Sequence, residues 1–364
     1  LGDHSGYMQK ALEKIHQNIG WVHEVSKIYE TPAWGFEGNS FLNACISVST
    51  RLEAEEVLSE LLAIENELGR ERSDSENYQN RTIDLDILLF GDDIMETETL
   101  SIPHPGIPNR SFVLKPLNDI IPSEKHPVSG IKFSQLLKDT TDTSEISISS
   151  EELKKPAINY NFPACSYIAV EGNIGAGKTS FSTMISEDFN AKLILERFKD
   201  NPFLPKFYEN KERYAFPLEM SFLADRYQQL SDDLAQYDLF KDFVISDYDV
   251  FKSLIFAKIT LHEDEYSLYH KLFHLMYKEL VKPELYIYLY QNTDRLLENI
   301  KKRGRDYEQN IQPEYLIDIN NSYLNFIKSQ SNMKVQIIDI SGLDFVSNRK
   351  DYLWLLSEID KAVN

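Results

Sequence analysis

The sequence predicts two domains of different class. A mixed α+β sandwich is expected over residues 1–138, and an α/β domain on a parallel sheet over residues 165–364. Three observations predict this. Helical and strand-like patterns interleave in the first half without a regular β-α-β rhythm. In the second half, short apolar runs at 166–170, 191–195, 243–246, 285–290 and 334–340 alternate with long helical stretches, as in a parallel sheet covered on both faces. Between the halves, residues 139–164 are rich in Ser, Thr, Asp and Glu and end on two prolines. They read as a solvated connector, with little apolar surface to offset the entropy of ordering.

A length of 364 residues fits two domains. The net charge of −20 is spread over both halves and argues against a general nucleic-acid binder, which needs basic surface to replace counterions. Small phosphorylated ligands remain open, because they need only local cations and backbone N–H groups. No apolar run reaches the ~18 residues of a membrane span. The two cysteines, Cys45 and Cys165, belong to no CxxC pair, so a disulfide scaffold and a cysteine zinc site are excluded and a reducing, cytoplasmic setting is expected. The chain opens at Leu1 with no methionine, and a natural beginning is expected to precede it.

In the first half, residues 5–18 and 53–68 have helical spacing, while 41–50 and 82–90 alternate as strands do. Alternate residues of a strand share a face. In the run RTIDLDILLF, Ile83, Leu85, Ile87 and Leu89 therefore point to a core, and Asp84 and Asp86 point together to the other side. Two carboxylates so placed suit Mg²⁺, which keeps waters and bridges to phosphate oxygens, although the spacing alone also fits a solvated polar face. Arg70, Arg72, Arg81, His104 and Arg110 lie close in sequence and favour the phosphate reading. Upstream, Tyr29–Gly35 and Phe41-Leu42-Asn43 offer an aromatic wall with an amide.

The motifs S-x-x-Y-x-T-P, F-L-N, E-x-x-x-G-R-x-R, R-T-x-D-x-D and P-H-P occur in that order over residues 1–138. This half resembles the 6-hydroxymethyl-7,8-dihydropterin pyrophosphokinases of folate synthesis. The resemblance implies a ferredoxin-like αβα sandwich in which Mg²⁺-ATP gives its β,γ-diphosphate to the pterin hydroxymethyl group. It implies Asp84 and Asp86 as ligands of two Mg²⁺, and Arg70, Arg72, Arg81, His104 and Arg110 around ATP and the migrating phosphates, with Arg81 catalytic. Phe41 and Phe112 would sandwich the pterin while Thr31 and Asn43 bond its edge. Tyr78 stands where a loop tryptophan is common. The first strand and Gly-Ser-Asn-Leu-Gly turn of the family are expected upstream of Leu1.

In the second half, the strand Tyr167–Val170 runs into Gly172-Asn173-Ile174-Gly175-Ala176-Gly177-Lys178-Thr179 and then an amphipathic helix. This is a complete phosphate loop in its required strand–loop–helix setting. Its backbone N–H groups and helix N-terminus face phosphate, Lys178 reaches the β/γ-phosphates and Thr179 offers its hydroxyl to Mg²⁺. Glu196 ends the second strand, where it would take a proton from a substrate hydroxyl; a plain helix N-terminal acid is the alternative. Asp247 ends the third strand, where a metal-side acid belongs. The run Lys301-Lys302-Arg303-Gly304-Arg305 reads as a lid closing over a triphosphate, or as a solvated helix end.

Together these residues resemble the deoxynucleoside kinases, over roughly 165–345. The resemblance implies γ-phosphoryl transfer from ATP to a deoxynucleoside 5′-hydroxyl in a homodimer. Glu196 would be the base, Tyr208 and Glu308 would hold the sugar 3′-hydroxyl, Arg303 and Arg305 would form the lid, Phe256 would stack on the nucleobase and Asp247 would lie beside the substrate. The loop Ser341–Phe345 would hold the adenine of ATP. Three positions depart from the family pattern: Glu219 replaces a base-reading Gln, Asp247-Tyr248-Asp249 replaces Asp/Glu-Arg-Ser, and Arg197 replaces a Pro. A carboxylate only accepts unless protonated, which disfavours thymine and, by count of donors, suits guanine. The resemblance to bacterial enzymes points instead to deoxyadenosine, which is the expected substrate, with deoxyguanosine as the alternative. A bifunctional enzyme is expected. The competing readings are a single kinase whose first half is a docking or oligomerisation module, and a P-loop ATPase without a small-molecule acceptor.

Overall fold

The computed structural model describes residues 4–31, 40–69, 83–157, 160–197, 201–236, 238–305, 308–330 and 333–363, apart from the side chain of Tyr208. The chain divides into two compact units, Leu1–Ile158 and Asn159–Asn364. The expected connector is shared between them. In the first unit, Asp142 accepts from the Ser111 backbone N–H at 2.6 Å, Ser147–Ile148 pair with a strand, and the Lys154 N–H donates to Gln9 at 2.8 Å. In the second, Tyr160 and Phe162 stack, and Phe162 is fully buried.

The first unit is a mixed α/antiparallel-β domain. Its elements are α1 (His4–Asn18), β1 (Gly20–Val25), β2 (Tyr29–Thr31), β3 (Phe41–Asn43), β4 (Ile46–Thr50), α2 (Ala54–Glu67), β5 (Met95–Glu96), β6 (Ser101–Ile102), α3 (Ser111–Ile120), α4 (Phe133–Asp139) and β7 (Ser147–Ile148). Helix α2 starts on a capping box, with the Glu53 N–H donating to Glu56 at 2.9 Å. The apolar stripes Ala11, Leu12, Ile15 of α1 and Val57, Leu61, Ile64 of α2 meet in one core.

The run 41–50 is not one strand. Ser26 and Cys45 exchange hydrogen bonds (Ser26 N–H to the Cys45 carbonyl, Cys45 N–H to the Ser26 hydroxyl, both 2.9 Å), and this breaks the run. As a result, β3 pairs with β2 while β4 pairs with β1, both antiparallel. Within the run 82–90, residues 83–87 keep the alternation but not the ladder. Ile83, Leu85 and Ile87 pack on the α1/α2 core, Leu89 packs on the α3/α4 core, and Asp84 and Asp86 are exposed. Yet 83–90 joins no sheet among the described residues. The Leu85 N–H donates to buried Glu65 at 2.8 Å, and the Leu88 carbonyl accepts from His104 N–H at 2.9 Å.

The second unit comprises β8 (Tyr167–Gly172), α5 (Lys178–Asp188), β9 (Lys192–Ile194), α6 (Leu204–Glu209), α7 (Lys211–Ala235), β10 (Val244–Ser246), α8 (Phe251–Thr260), α9 (Glu263–Tyr277), β11 (Leu285–Tyr290), α10 (Thr293–Arg303), α11 (Pro313–Ser329), β12 (Val335–Asp339) and α12 (Arg349–Val363). All five strands are parallel, in the order β12-β11-β8-β10-β9. Every residue of β8 is buried, as expected for a central strand with helices on both faces. The strand order reverses at β8, so the carboxyl ends of β8, β9 and β10 open onto one crevice, where such sheets bind ligands. Among the described residues, no helix is long and apolar enough to cross a membrane.

Candidate active sites

The glycine loop between β8 and α5 is shaped by two positions. Gly175 and Gly177 have φ of +84° and +80°, and an added Cβ would lie 2.9 Å from the Leu296 carbonyl oxygen or 2.8 Å from the Phe345 ring. Only glycine meets both demands. We expect Gly177→Ala to destabilise the second unit by roughly 1–3 kcal/mol, read as a lower urea midpoint at unchanged slope. Asn173 plays a different part from the rest of the loop. Its side chain is fully buried, donates to the Leu316 carbonyl (2.7 Å) and Asn320 (2.9 Å), and accepts from the Ile174 N–H (2.8 Å). It therefore anchors the loop, and the Ile174 N–H is already taken.

Lys178 donates to the Asn173 carbonyl at 2.8 Å. Burial, reinforced by the charge of Lys252, pushes its ammonium down to about 8 against the opposing pull of Glu171, Glu196 and Asp247. A polyphosphate in the loop would restore the charge.

Parallel register brings the ends of β9 and β10 together. The Asp247 N–H donates to the Ile194 carbonyl at 3.1 Å, and the Glu196 N–H donates to Asp247 Oδ1 at 2.7 Å. Asp247 Oδ2 accepts from the Thr179 hydroxyl at 2.5 Å. Threonine oxygen, aspartate oxygen and open water positions make a hard-oxygen donor set that fits Mg²⁺ bound with a triphosphate.

Glu196 sits between two cations absent from the sequence expectations. Arg226 of α7 donates to Oε1 through Nε and Nη2, both at 2.8 Å, and Lys252 of α8 donates to Oε2 at 2.6 Å. Burial alone would raise the Glu196 carboxyl. The charges of Lys252 and Arg226, with their hydrogen bonds, overturn that and hold it well below the usual carboxylate range. Glu196 is thus anionic at any physiological pH. Tyr248 is buried, and Asp249 accepts from the Phe251 N–H at 2.9 Å while its own N–H donates to Glu171 at 2.8 Å.

Glu219, Phe222 and Arg226 lie three and four residues apart on one face of α7, and Lys252, Phe256 and Thr260 lie four apart on one face of α8. The two faces meet at both ends. Arg226 and Lys252 converge on Glu196 at one end, while at the other Thr260 donates to Glu219 at 2.9 Å. The half-buried Phe222 and Phe256 lie between, beneath Arg226 and Lys252 respectively. Seven residues of helix separate Arg226 from Glu219, about 10 Å along the axis, which is roughly the span of a nucleoside from its 5′-oxygen to its base edge. The spacing of Glu219 and Arg226 on one helical face is the signal that could have found this wall in the sequence.

Burial pushes the Glu219 carboxyl up to about 7, against the pull of Arg226 and the Thr260 hydrogen bond. Its Oε2 is buried without a hydrogen-bond partner.

The lid arginines share one carboxylate. Arg303 and Arg305 both pair with buried Glu308, the latter at 3.2 Å. Glu308 is therefore held in place by both lid arginines. Phe345 is buried and lies edge-on to Phe181 at 5.5 Å. The side chain of Tyr208 lies outside the described residues.

In the first unit, Asn43 of β3 donates to the Thr31 hydroxyl of β2 at 3.1 Å, beside half-exposed Phe41. His104 follows the cis Ile102–Pro103 bond, and its Nδ1 accepts from the Gly106 N–H at 3.0 Å. A Cβ on Gly106 would lie 2.9 Å from the His104 ring and 3.1 Å from the Arg110 guanidinium, so Gly106 lets these two side chains approach. Arg110 lies over the Phe112 ring at 5.8 Å. Asp84 and Asp86 are both exposed, and no cluster of three or more His, Cys, Asp or Glu suits a metal among the described residues. A divalent ion there would be completed by phosphate and water oxygens, as Mg²⁺ prefers. Arg70, Arg72, Tyr78 and Arg81 lie outside the described residues.

Comparison with known proteins bears on both units. The family model of the 7,8-dihydro-6-hydroxymethylpterin-pyrophosphokinases matches residues 1–122, and that of the deoxynucleoside kinases matches residues 168–364. The deoxyguanosine kinase of Bacillus subtilis is 37% identical over 201 residues, covering 54% of this chain and 97% of the relative. A 2-amino-4-hydroxy-6-hydroxymethyldihydropteridine pyrophosphokinase of Aquifex aeolicus is 36% identical over 129 residues, covering 35% of this chain and 79% of the relative. The deoxyadenosine kinase of Dictyostelium discoideum is 31% identical over 185 residues, covering 50% and 74% respectively. The chain belongs to both families: its first unit is an ATP-dependent pyrophosphokinase domain of the pterin type, and its second is a deoxynucleoside kinase domain.

Proposed function

We propose that the second unit phosphorylates the 5′-hydroxyl of a purine deoxynucleoside, deoxyguanosine ahead of deoxyadenosine, and that the first converts hydroxymethyl dihydropterin to its diphosphate. The observation that carries the base preference is Glu219, a buried carboxyl at the far end of the α7/α8 wall with one oxygen unpartnered. Guanine presents two adjacent donors, its ring N–H and amino group, to an acceptor of that kind. The higher identity and fuller coverage of the deoxyguanosine kinase support the same order, against the deoxyadenosine preference read from the sequence.

In this reading the glycine loop and Lys178 cradle the phosphates of ATP. Thr179, with Asp247 beside it, would hold Mg²⁺, which would supply charge neutralisation there. Glu196 takes the proton of the 5′-hydroxyl as its oxygen attacks the γ-phosphorus and ADP leaves. Arg226 and Lys252 orient Glu196 and face the charge that builds on the transferring group. In the first unit, Phe41 and Phe112 hold the pterin and Thr31 and Asn43 its edge. Asp84 and Asp86 would hold Mg²⁺, which would neutralise phosphate charge, and Arg70, Arg72, Arg81, His104 and Arg110 would serve the phosphates of ATP.

The test is incubation with Mg²⁺-ATP and, separately, each deoxynucleoside and the dihydropterin, resolving ADP from AMP. Deoxyguanosine giving ADP fastest, with dihydropterin giving AMP, is the expected result. Preference for thymidine or deoxycytidine would overturn the base assignment, and no dihydropterin-dependent AMP would overturn the assignment of the first unit. Asp86→Asn is expected to lower AMP formation at least tenfold and leave deoxyguanosine-dependent ADP formation unchanged, because removing one carboxylate weakens only the metal site of the first unit.

A further inference from the structure

Thr260 holds one hydroxyl proton and faces two acceptors. Its Oγ1 is 2.9 Å from Glu219 Oε1 and 2.9 Å from the Phe256 carbonyl oxygen. It can donate to only one at a time. With Glu219 charged, the proton belongs to the carboxylate. With Glu219 neutral, the hydroxyl can turn back to the Phe256 carbonyl without loss. The pair is built to accept either protonation state, and Glu219 Oε2 is buried without a hydrogen-bond partner.

We propose that Glu219 and Thr260 select the purine by protonation: the charged carboxyl takes guanine and the neutral one takes adenine. The proposal rests on Glu219 meeting the base edge. Charged, its two oxygens accept the ring N–H and amino N–H of guanine while Thr260 supports Oε1. Neutral, with the proton on Oε2, it donates to the bare ring nitrogen of adenine and accepts the adenine amino N–H on Oε1. Binding of deoxyadenosine thus takes up one proton from solvent, and binding of deoxyguanosine takes up none.

The surroundings place this change near neutrality. Burial raises the Glu219 carboxyl to about 7. Among the described residues, the charged group facing it on α7 is Arg226, bound to Glu196. On α8 the cation is Lys252, two turns from Thr260 and also bound to Glu196. On α9, Tyr269 donates its hydroxyl to the Glu219 backbone carbonyl at 3.3 Å, and burial holds both Tyr269 and Tyr266 in the protonated form. Asp249, just ahead of α8, is likewise raised to about 7 by burial, and its titration is common to both purines.

The experiment measures kcat/KM for deoxyguanosine and deoxyadenosine from pH 6 to 8 and takes their ratio, in which titration of ATP, Lys178 and the chemical step cancels. The ratio is expected to rise toward tenfold per pH unit. Glu219→Gln should flatten it. Thr260→Val removes a donor that favours the charged form, so it should shift the ratio toward deoxyadenosine at every pH, and Thr260→Ser should restore it. A wild-type ratio constant with pH would overturn the proposal while leaving the purine kinase reading intact. Turnover of neither purine would instead overturn the assignment of Glu219 to the base.

Discussion

Replacing Glu196 by Gln lowers deoxynucleoside-dependent ADP formation by about 10²–10⁴-fold, the ordinary worth of a positioned general base. The Gln side chain keeps the length and one acceptor oxygen but has no charge to receive the 5′-proton. It also presents NH₂ to one of two cations whose donors now converge on two carboxylate oxygens. The fall should lie in kcat, since Glu196 acts as the proton moves and not as the base and sugar dock. AMP formation by the first unit should not change, which separates loss of chemistry from loss of protein. A variant with ADP formation within threefold of wild type would remove Glu196 from the proton path and return it to the role of a structural counterion for Arg226 and Lys252.

That dual character explains which parts of the molecule the sequence could reveal. The phosphate loop was legible because its demands are local: Gly175 and Gly177 are required by backbone conformation and crowding, and the preceding strand and following helix are set by patterns a few residues long. All five strands of the second unit were found for the same reason. Glu196 was legible by its place at a strand end, but its partners were not. Arg226 and Lys252 lie 30 and 56 residues away, and although Arg226 shares a helical face with Glu219, no local pattern ties either cation to Glu196; the packing of α7 on α8 at the end of β9 brings them to one carboxylate.

The first unit gives the same lesson from the other side. Alternation over 82–90 correctly put Ile83, Leu85 and Ile87 inside and Asp84 and Asp86 outside, because alternation depends on one segment. Pairing depends on a neighbour, and no ladder forms for 83–90 among the described residues. The break in 41–50 depends on Ser26, a residue 19 positions from Cys45. Glu308 reads from the resemblance as a ligand of the sugar, and what the sequence does not show is its pairing with Arg303 and Arg305.

Replacing Arg226 by Met destabilises the second unit by roughly 3–5 kcal/mol, the cost of leaving a buried charge short of its partner. The side chains of Arg226, Lys252 and Glu196 are only 6%, 10% and 12% exposed, so the value of a surface ion pair does not apply. The pH dependence carries the diagnostic sign. Glu196 is depressed in the folded state, so its contribution is fully present above its ordinary value of 4.5 and is lost as pH falls through the lower folded value. Removing Arg226 brings the folded value up, and the acid-unfolding midpoint should move upward with it. Glu219 works in the opposite sense. Its folded carboxyl is raised to about 7 from an ordinary 4.5, so it favours the folded state below 4.5 and loses that advantage as pH rises through 7. Glu219→Gln should therefore gain stability over wild type as pH rises from 5 to 8, by roughly 2–4 kcal/mol for a shift of that size. Arg226→Met should lose stability across the same range. Urea denaturation of the three proteins at both pH values reads the two effects together. Parallel pH dependence in both variants would mean that Glu196 and Glu219 share one charge environment and not the two opposed ones that Lys252 and burial create.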